Sequence, residues 1–246
     1  MKECIYSIPL TDAFKEDCEC PMCVLENMFE KQTLEFYLGD SVMTEEVRYH
    51  TNENGFCSKH YKLLYEIQDR LPLALMLQTH LKEMLKELKE NKANYLSGEK
   101  SGIFSKFKNE TASIPLKLTK MKDSCVVCDD LVIKMNKLYE NFFVLYEREN
   151  DFRNLFLNSK GFCIPHFLKF NELAAKNLSS KNIKTFKQVL YDLQVKNLNR
   201  VQEDIDWYVQ KFDYRFGDEP WKNSRDAVER TIQKVSSYSI VKKDSK

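Results

Sequence analysis

Cys20-Pro21-Met22-Cys23 is followed by Gly55-Phe56-Cys57-Ser58-Lys59-His60, and the same order returns as Cys125-Val126-Val127-Cys128 and Gly161-Phe162-Cys163-Ile164-Pro165-His166. The two CxxC pairs lie 105 residues apart and the two CxxH pairs 106 apart. Six of the eight cysteines and two of the four histidines belong to this scheme, which argues for a duplicated chain holding two metal ions. Cysteines at i and i+3 on a tight turn bring two thiolates within reach of one ion, and zinc prefers such soft ligands in tetrahedral sets of four.

Taken in chain order, the first set is Cys20, Cys23, Cys57 and His60, and the second is Cys125, Cys128, Cys163 and His166. Cys23 and Cys128 each open a helical pattern, where unpaired backbone N–H groups and the helix dipole favour thiolate. Gly55 and Gly161 offer the left-handed geometry that side chains disfavour. With Cys57 as N-cap, His60 falls in the same first turn, and Phe56 with Tyr61 forms a hydrophobic staple, as Phe162 with Phe167 does in the second copy. The gaps of 34 and 35 residues inside each set suit two helices that run out and return. A site with four protein ligands is closed, which favours a structural ion over a catalytic one. Zinc fits this ligand set on helix starts better than an iron–sulfur cluster does. Each such zinc unit carries a net charge near −1, which Lys59, Lys122 or Lys160 could offset.

Between these motifs the apolar residues recur at helical spacing and no segment alternates as a strand does. Helical patterns cover residues 22–38, a shorter stretch to Tyr49, a segment from Cys57, and 71–95 with Leu77, Leu81, Met84, Leu85 and Leu88 on one side. They return over 126–147, 150–158, from Cys163, over 181–212 and over 224–236. The expected fold is all-α, with two pseudo-repeated helical units each organised around a CxxC…CxxH site. Residues 1–96 form the first repeat, 97–123 a linker, 124–212 the second repeat, and 213–246 a C-terminal motif, a last helix and a disordered tail.

Composition narrows the function. Lys and Arg number 38 against 37 Asp and Glu, a formal +1, so the global charge gives no support to a nucleic-acid partner. The longest obvious apolar run, 71–77, is interrupted by Pro72 and too short for a bilayer. The start carries an acidic residue and no apolar stretch of signal-peptide type. A cytoplasmic protein without a membrane partner is expected, and in that reducing compartment CxxC pairs read as metal ligands or redox groups.

Two features stand outside the duplication. Cys18 precedes the first CxxC, where the second copy has Asp123, and reads either as a spare thiol or as a redox or exchange ligand. Cys4 is isolated, and His50 and His80 read as ordinary polar or core residues. The segment Asp213, Arg215, Asp218, Glu219, Trp221, Arg225, Asp226 and Arg230 gathers charge and an aromatic ring around one turn. It reads as a capped connection locked by ion pairs or as a ligand or partner cluster. The sequence contains no Ser/His/Asp set, Gly-rich phosphate loop or HExxH.

The paired C-P-x-C…G-F-C-x-x-H pattern with the tail Phe212-Asp213-Tyr214-Arg215…Asp218-Glu219-Pro220-Trp221…Asp226-Ala227…Arg230 resembles a bacterial family classed as a domain of unknown function. The resemblance runs from Cys20 to about Ser236 and implies a helical, cysteine-rich, metal-binding cytoplasmic protein, with no activity attached. The leading functional expectation is a non-enzymatic, zinc-binding helical protein acting on a protein partner. The alternatives are a thiol-based redox or metal-responsive protein using Cys18 and the first site, and an enzyme working at the 213–230 cluster.

Overall fold

A computed structural model describes residues 6–97 and 116–238. Cys4, most of the expected linker and the expected disordered tail lie outside the described residues. Among those described, the fold is all-α with no strand. The helices are α1 (Ser7–Lys15), α2 (Pro21–Leu38), α3 (Glu45–Asn54), α4 (Ser58–Glu66), α5 (Arg70–Glu90), α6 (Lys92–Ser97), α7 (Leu116–Asp123), α8 (Val126–Arg148), α9 (Asn150–Asn158), α10 (Ile164–Asn177), α11 (Ser180–Gln210) and α12 (Ala227–Ser236).

The chain divides into two compact units that do not follow chain order. One comprises Met1–Met28 with Lys134–Lys246, and the other Phe29–Ile133. The expected boundaries at 96 and 124 are therefore not those of the compact units. The physical reason lies in helix length. From Cys128 to the end of α8 the chain travels about 30 Å at ~1.5 Å per residue. The nine residues of α9 and the short segment to Cys163 could cover that distance only if stretched collinearly backwards. A CxxC at the start of a long helix thus finds its partner elsewhere.

The discontinuous unit is built on phenylalanine. Phe142, Phe143, Phe152, Phe156, Phe162, Phe170 and Phe186 are fully buried, and Phe14 of α1 nearly so. Phe142 and Phe170 have ring centroids 4.5 Å apart, Phe162 stacks on Phe170 at 4.3 Å, and Phe14 meets Phe152 edge-on at 5.2 Å. Such offset and edge-to-face pairs add to the area each ring removes from water. The sequence reading overlooked α1, although Leu10, Ala13 and Phe14 fall on one helical face and are buried. In this unit α11 packs against α10 and α12.

The continuous unit packs α3, α4 and α7 against α5 around Leu34, Leu38, Val42, Phe56, Leu64, Leu73, Met76 and Met121. Helix α7 occupies the end of the segment read as a linker. The apolar stripe on one side of α5 is largely exposed. Leu73 and Met76 are buried, whereas Leu77, Leu81, Leu85 and Leu88 are 42–56% exposed. A helical period identifies a face but does not say what covers it.

Candidate metal centres

The first ligand set combines Cys20, Cys23, Cys163 and His166, and the second combines Cys57, His60, Cys125 and Cys128. The eight expected residues are thus all used, but the pairing is crossed. Each CxxC of one copy meets the CxxH of the other, and the expected sets in chain order are corrected accordingly. Both sets are made the same way, from two helix starts that converge. Cys20 immediately precedes α2 and Cys125 immediately precedes α8, with Cys23 and Cys128 in their first turns. Cys57 and Cys163 are the N-caps of α4 and α10, with His60 and His166 in the first turn of each. Both N-caps have extended backbone, and neither thiol is used to cap its own helix.

The spacings suit a tetrahedral ion. Bonds of about 2.3 Å to sulfur and about 2.0 Å to nitrogen set S···S edges near 3.8 Å and S···N edges near 3.5 Å. In the first set His166 Nδ1 lies 3.5, 3.5 and 3.0 Å from the sulfurs of Cys20, Cys23 and Cys163, and the Cys23 and Cys163 sulfurs are 3.6 Å apart. In the second, His60 Nδ1 lies 3.2, 3.1 and 3.4 Å from Cys57, Cys125 and Cys128, and Cys57 to Cys128 is 3.9 Å. These sulfurs are free thiols, nowhere near the ~2.05 Å of a disulfide. Three sulfurs and one nitrogen in this arrangement fit a soft divalent ion such as zinc.

The outer contacts orient the imidazoles. With Nδ1 facing the sulfurs, Nε2 of His60 lies 3.0 Å from Glu30 Oε1, and Nε2 of His166 lies 3.6 Å from Glu26 Oε2. A carboxylate behind a ligating histidine fixes its tautomer and raises its basicity. Lys59 reaches the same Glu30 oxygen at 2.5 Å. The turns before the CxxH motifs use positive φ at Gly55 (62°) and Gly161 (71°), as expected. Beneath Gly161, Gln194 accepts from Phe162 N at 3.2 Å and donates to Phe162 O at 2.9 Å. Beneath Gly55 lies His80, whose Nδ1 donates to Asn52 O at 2.7 Å. The Phe56–Tyr61 staple forms at 5.4 Å, while in the other copy Phe162 stacks on Phe170 at 4.3 Å and on Phe156 at 6.0 Å.

Burial separates the two centres. Cys20, Cys23, Cys163 and His166 are all buried, whereas Cys57 and Cys128 are partly exposed. Protons are shared within each set. Burial lowers the His60 pKa, but Cys125 and Glu30 outweigh it and carry it up to about 10. Burial is likewise outweighed at His166, by Cys163 and Cys20, to about 10. Cys125, although burial raises it, is drawn down to about 6 by His60. Cys128 is pushed up to about 12 by burial and by Cys125. In the first set Cys20 is pulled well below the usual thiol value against burial, by Cys163, Cys23 and His166, while Cys23 is driven up by hydrogen bonding with Cys163 and Cys20.

Cys18 stands apart from the four atoms of the first set. Its Sγ lies 3.9 Å from Ala13 O, and burial pushes its pKa up to about 12, which disfavours the reactive thiolate. The tail cluster also divides. Asp213 and Arg215 pair with each other at the surface, Arg215 Nη2 to Asp213 Oδ2 at 2.6 Å, and Asp218 and Glu219 are exposed. Lys211 Nζ donates to the carbonyls of Phe216 and Gly217 at 2.7 Å, and Trp207 Nε1 to Pro220 O at 3.0 Å, so two side chains hold the turn by its carbonyls. Trp221 packs on Tyr208 at 5.8 Å. Arg230 turns inward to Asp204 (2.8 Å) and Asp226 (3.0 Å). Arg225, Asp226 and Arg230 line a polar cleft of about 440 Å³ with Asp17, Lys160 and Arg200. The residues the sequence reading missed are Glu26, Glu30, Gln194, Glu19 and Lys234, none of which belongs to a recognisable motif.

A family model described as "Family of unknown function (DUF6062)" matches residues 1–242. No curated protein and no solved structure matches the chain.

Proposed function

We propose, for a chain that belongs to this family of unknown function, that it is a non-enzymatic helical protein holding two structural zinc ions and acting through a protein partner in the cytoplasm. The observation that carries this reading is the pair of tetrahedral ligand sets, three sulfurs and one Nδ1 each, assembled at converging helix starts. Four protein ligands leave an ion no open position for water or substrate, so its contribution is to folding free energy. Support for partner binding comes from the exposed row Leu77, Leu81, Leu85 and Leu88 on α5, an apolar face of the kind that marks contact surfaces. No helix among the described residues is long and apolar enough to cross a membrane.

Elemental analysis of protein purified without added metal tests the reading. About two zinc ions per chain are expected, and X-ray absorption should report three sulfurs and one nitrogen around each. Fewer than about one metal per chain would sink it, and iron with inorganic sulfide would replace zinc by a cluster.

A redox reading draws on one observation, the partial exposure of Cys57 and Cys128. It favours the second centre as the labile element, in place of Cys18 and the first.

A further inference from the structure

Lys234 of α12 is fully buried, and its Nζ donates to the carbonyls of Glu19 and Lys160, both at 2.6 Å, with Glu19 Oε2 at 3.3 Å. Three acceptors match the three N–H donors of an ammonium. Glu19 immediately precedes Cys20, and Lys160 immediately precedes Gly161-Phe162-Cys163. One side chain therefore ties together the two segments that deliver all four ligands of the first centre.

The corresponding junction at the second centre closes itself. Ser124, just before Cys125, donates from Oγ to the carbonyl of Asn54, just before Gly55, at 2.6 Å. Val126 N donates to Gly55 O at 3.2 Å. In the first centre both local donors are missing by sequence. The place of Ser124 is taken by Glu19, and that of Val126 by Pro21, which has no N–H. Lys234, 215 positions from Glu19, supplies the link that the local chain cannot.

Charge follows the same logic. Glu19, 4% exposed, is paired with Arg200 at 2.5 Å, while Asp204 at 2.8 Å and the more exposed Asp226 at 3.0 Å hold Arg230. The buried Lys234 ammonium shares Glu19 with Arg200, at 3.3 Å, so the clasp also holds the carboxylate that precedes Cys20.

We infer that α12 is a clasp specific to the first centre, and that ion binding by Cys20, Cys23, Cys163 and His166 is thermodynamically coupled to the docking of α12 through Lys234. The inference rests on the two-zinc reading. Coupling is reciprocal, so loss of the ion loosens α12 and loss of the clasp weakens the ion.

The test isolates each centre in the full chain. Cys57→Ser with Cys125→Ser leaves only the first, and Cys20→Ser with Cys163→Ser leaves only the second. Lys234→Met is then placed in each background, and zinc affinity is read by chelator competition. A 10- to 100-fold loss is expected at the first centre, about the range for an outer contact that positions ligands, with no change at the second. Hydrogen exchange of the Cys57→Ser, Cys125→Ser chain with Lys234 intact gives an independent readout that survives poor folding of the Lys234→Met variant. Stripping zinc from the first centre alone should speed exchange across Ala227–Ser236. Unchanged affinity at the first centre with Lys234→Met, or unchanged α12 protection after stripping, would overturn the clasp while leaving two zinc sites standing. Binding of zinc at neither centre overturns both the clasp and the reading beneath it.

Discussion

His60 Nδ1 and Cys125 Sγ lie 3.1 Å apart across 65 positions of sequence, while Cys23, on a helix that precedes His60, belongs to the other ligand set. The crossed pairing makes a stoichiometric prediction. Cys20→Ser with Cys163→Ser removes two ligands of one centre and should leave about one zinc per chain. Cys20→Ser with Cys57→Ser cripples both centres and should leave close to none. Pairing in chain order would reverse the two counts, so elemental analysis of the two variants decides it.

Metal affinity at the second centre should rise with pH. Cys128, pushed up to about 12, and His60, carried up to about 10, both hold protons at neutral pH and must lose them on binding. Cys125, drawn down to about 6, is already largely thiolate. The protons of Cys128 and His60 set a minimum of two displaced, which implies at least about a hundredfold gain in affinity per pH unit between about pH 7 and 9, falling away on acidification. Calorimetry in buffers of different protonation enthalpy measures the proton count. A pH-independent constant would contradict it.

The centres should differ in reactivity. Cys57 and Cys128 are partly exposed, whereas the first set is buried. Under mild peroxide or a thiol-specific reagent, zinc should leave the second centre first, with Cys57 labelled earliest by mass spectrometry. Cys18 should react slowly, because burial holds its thiol protonated. Earliest modification at Cys18 would reverse this order.

Glu30→Gln should weaken the second centre without unfolding the chain. It removes the carboxylate 3.0 Å from His60 Nε2 and leaves the first centre untouched. A loss of about 10- to 100-fold in zinc affinity at that centre alone is expected, measured by competition.

Gly55→Ala places a side chain where φ is +62°, with His80 Nε2 2.7 Å from the new Cβ. Backbone strain of about 1–3 kcal/mol is expected in chemical denaturation, enlarged by displacement of His80. The double variant with His80→Ala should relieve the clash and keep the strain. A Gly55→Ala variant as stable as the parent would show that the turn does not need glycine.

Much of the local architecture was legible before any coordinates. The helix from 126 was expected to reach 147 and reaches Arg148, and 150–158 coincides with α9. These segments carry strong periodicity between clear stops. Helix α1 was missed because nine residues give too few turns for the period to stand out. The stripe Leu77–Leu88 was read correctly as one side of a helix, but burial depends on neighbours that the period does not name, and Leu77, Leu81, Leu85 and Leu88 are exposed.

The tail, read as charge gathered around one turn, divides for a related reason. Asp213 and Arg215 are neighbours in sequence and pair locally, whereas Arg230 is carried inward by α12 to Asp204 and the edge of Glu19. Lys234 had no signal at all: one lysine in an amphipathic helix looks like any other until its carbonyl partners are known.

By itself the sequence determined the eight cysteines and histidines that gather into two sets, their placement at helix starts and the glycines that precede them. Each of these is settled locally, by the turn geometry of i and i+3 and by backbone freedom at positive φ. The tertiary structure alone decided which CxxC meets which CxxH and which lysine ties the first pair together. Those choices depend on how far each helix carries the chain before it turns, with α8 taking it about 30 Å from Cys128, and on which distant helix packs over the junction.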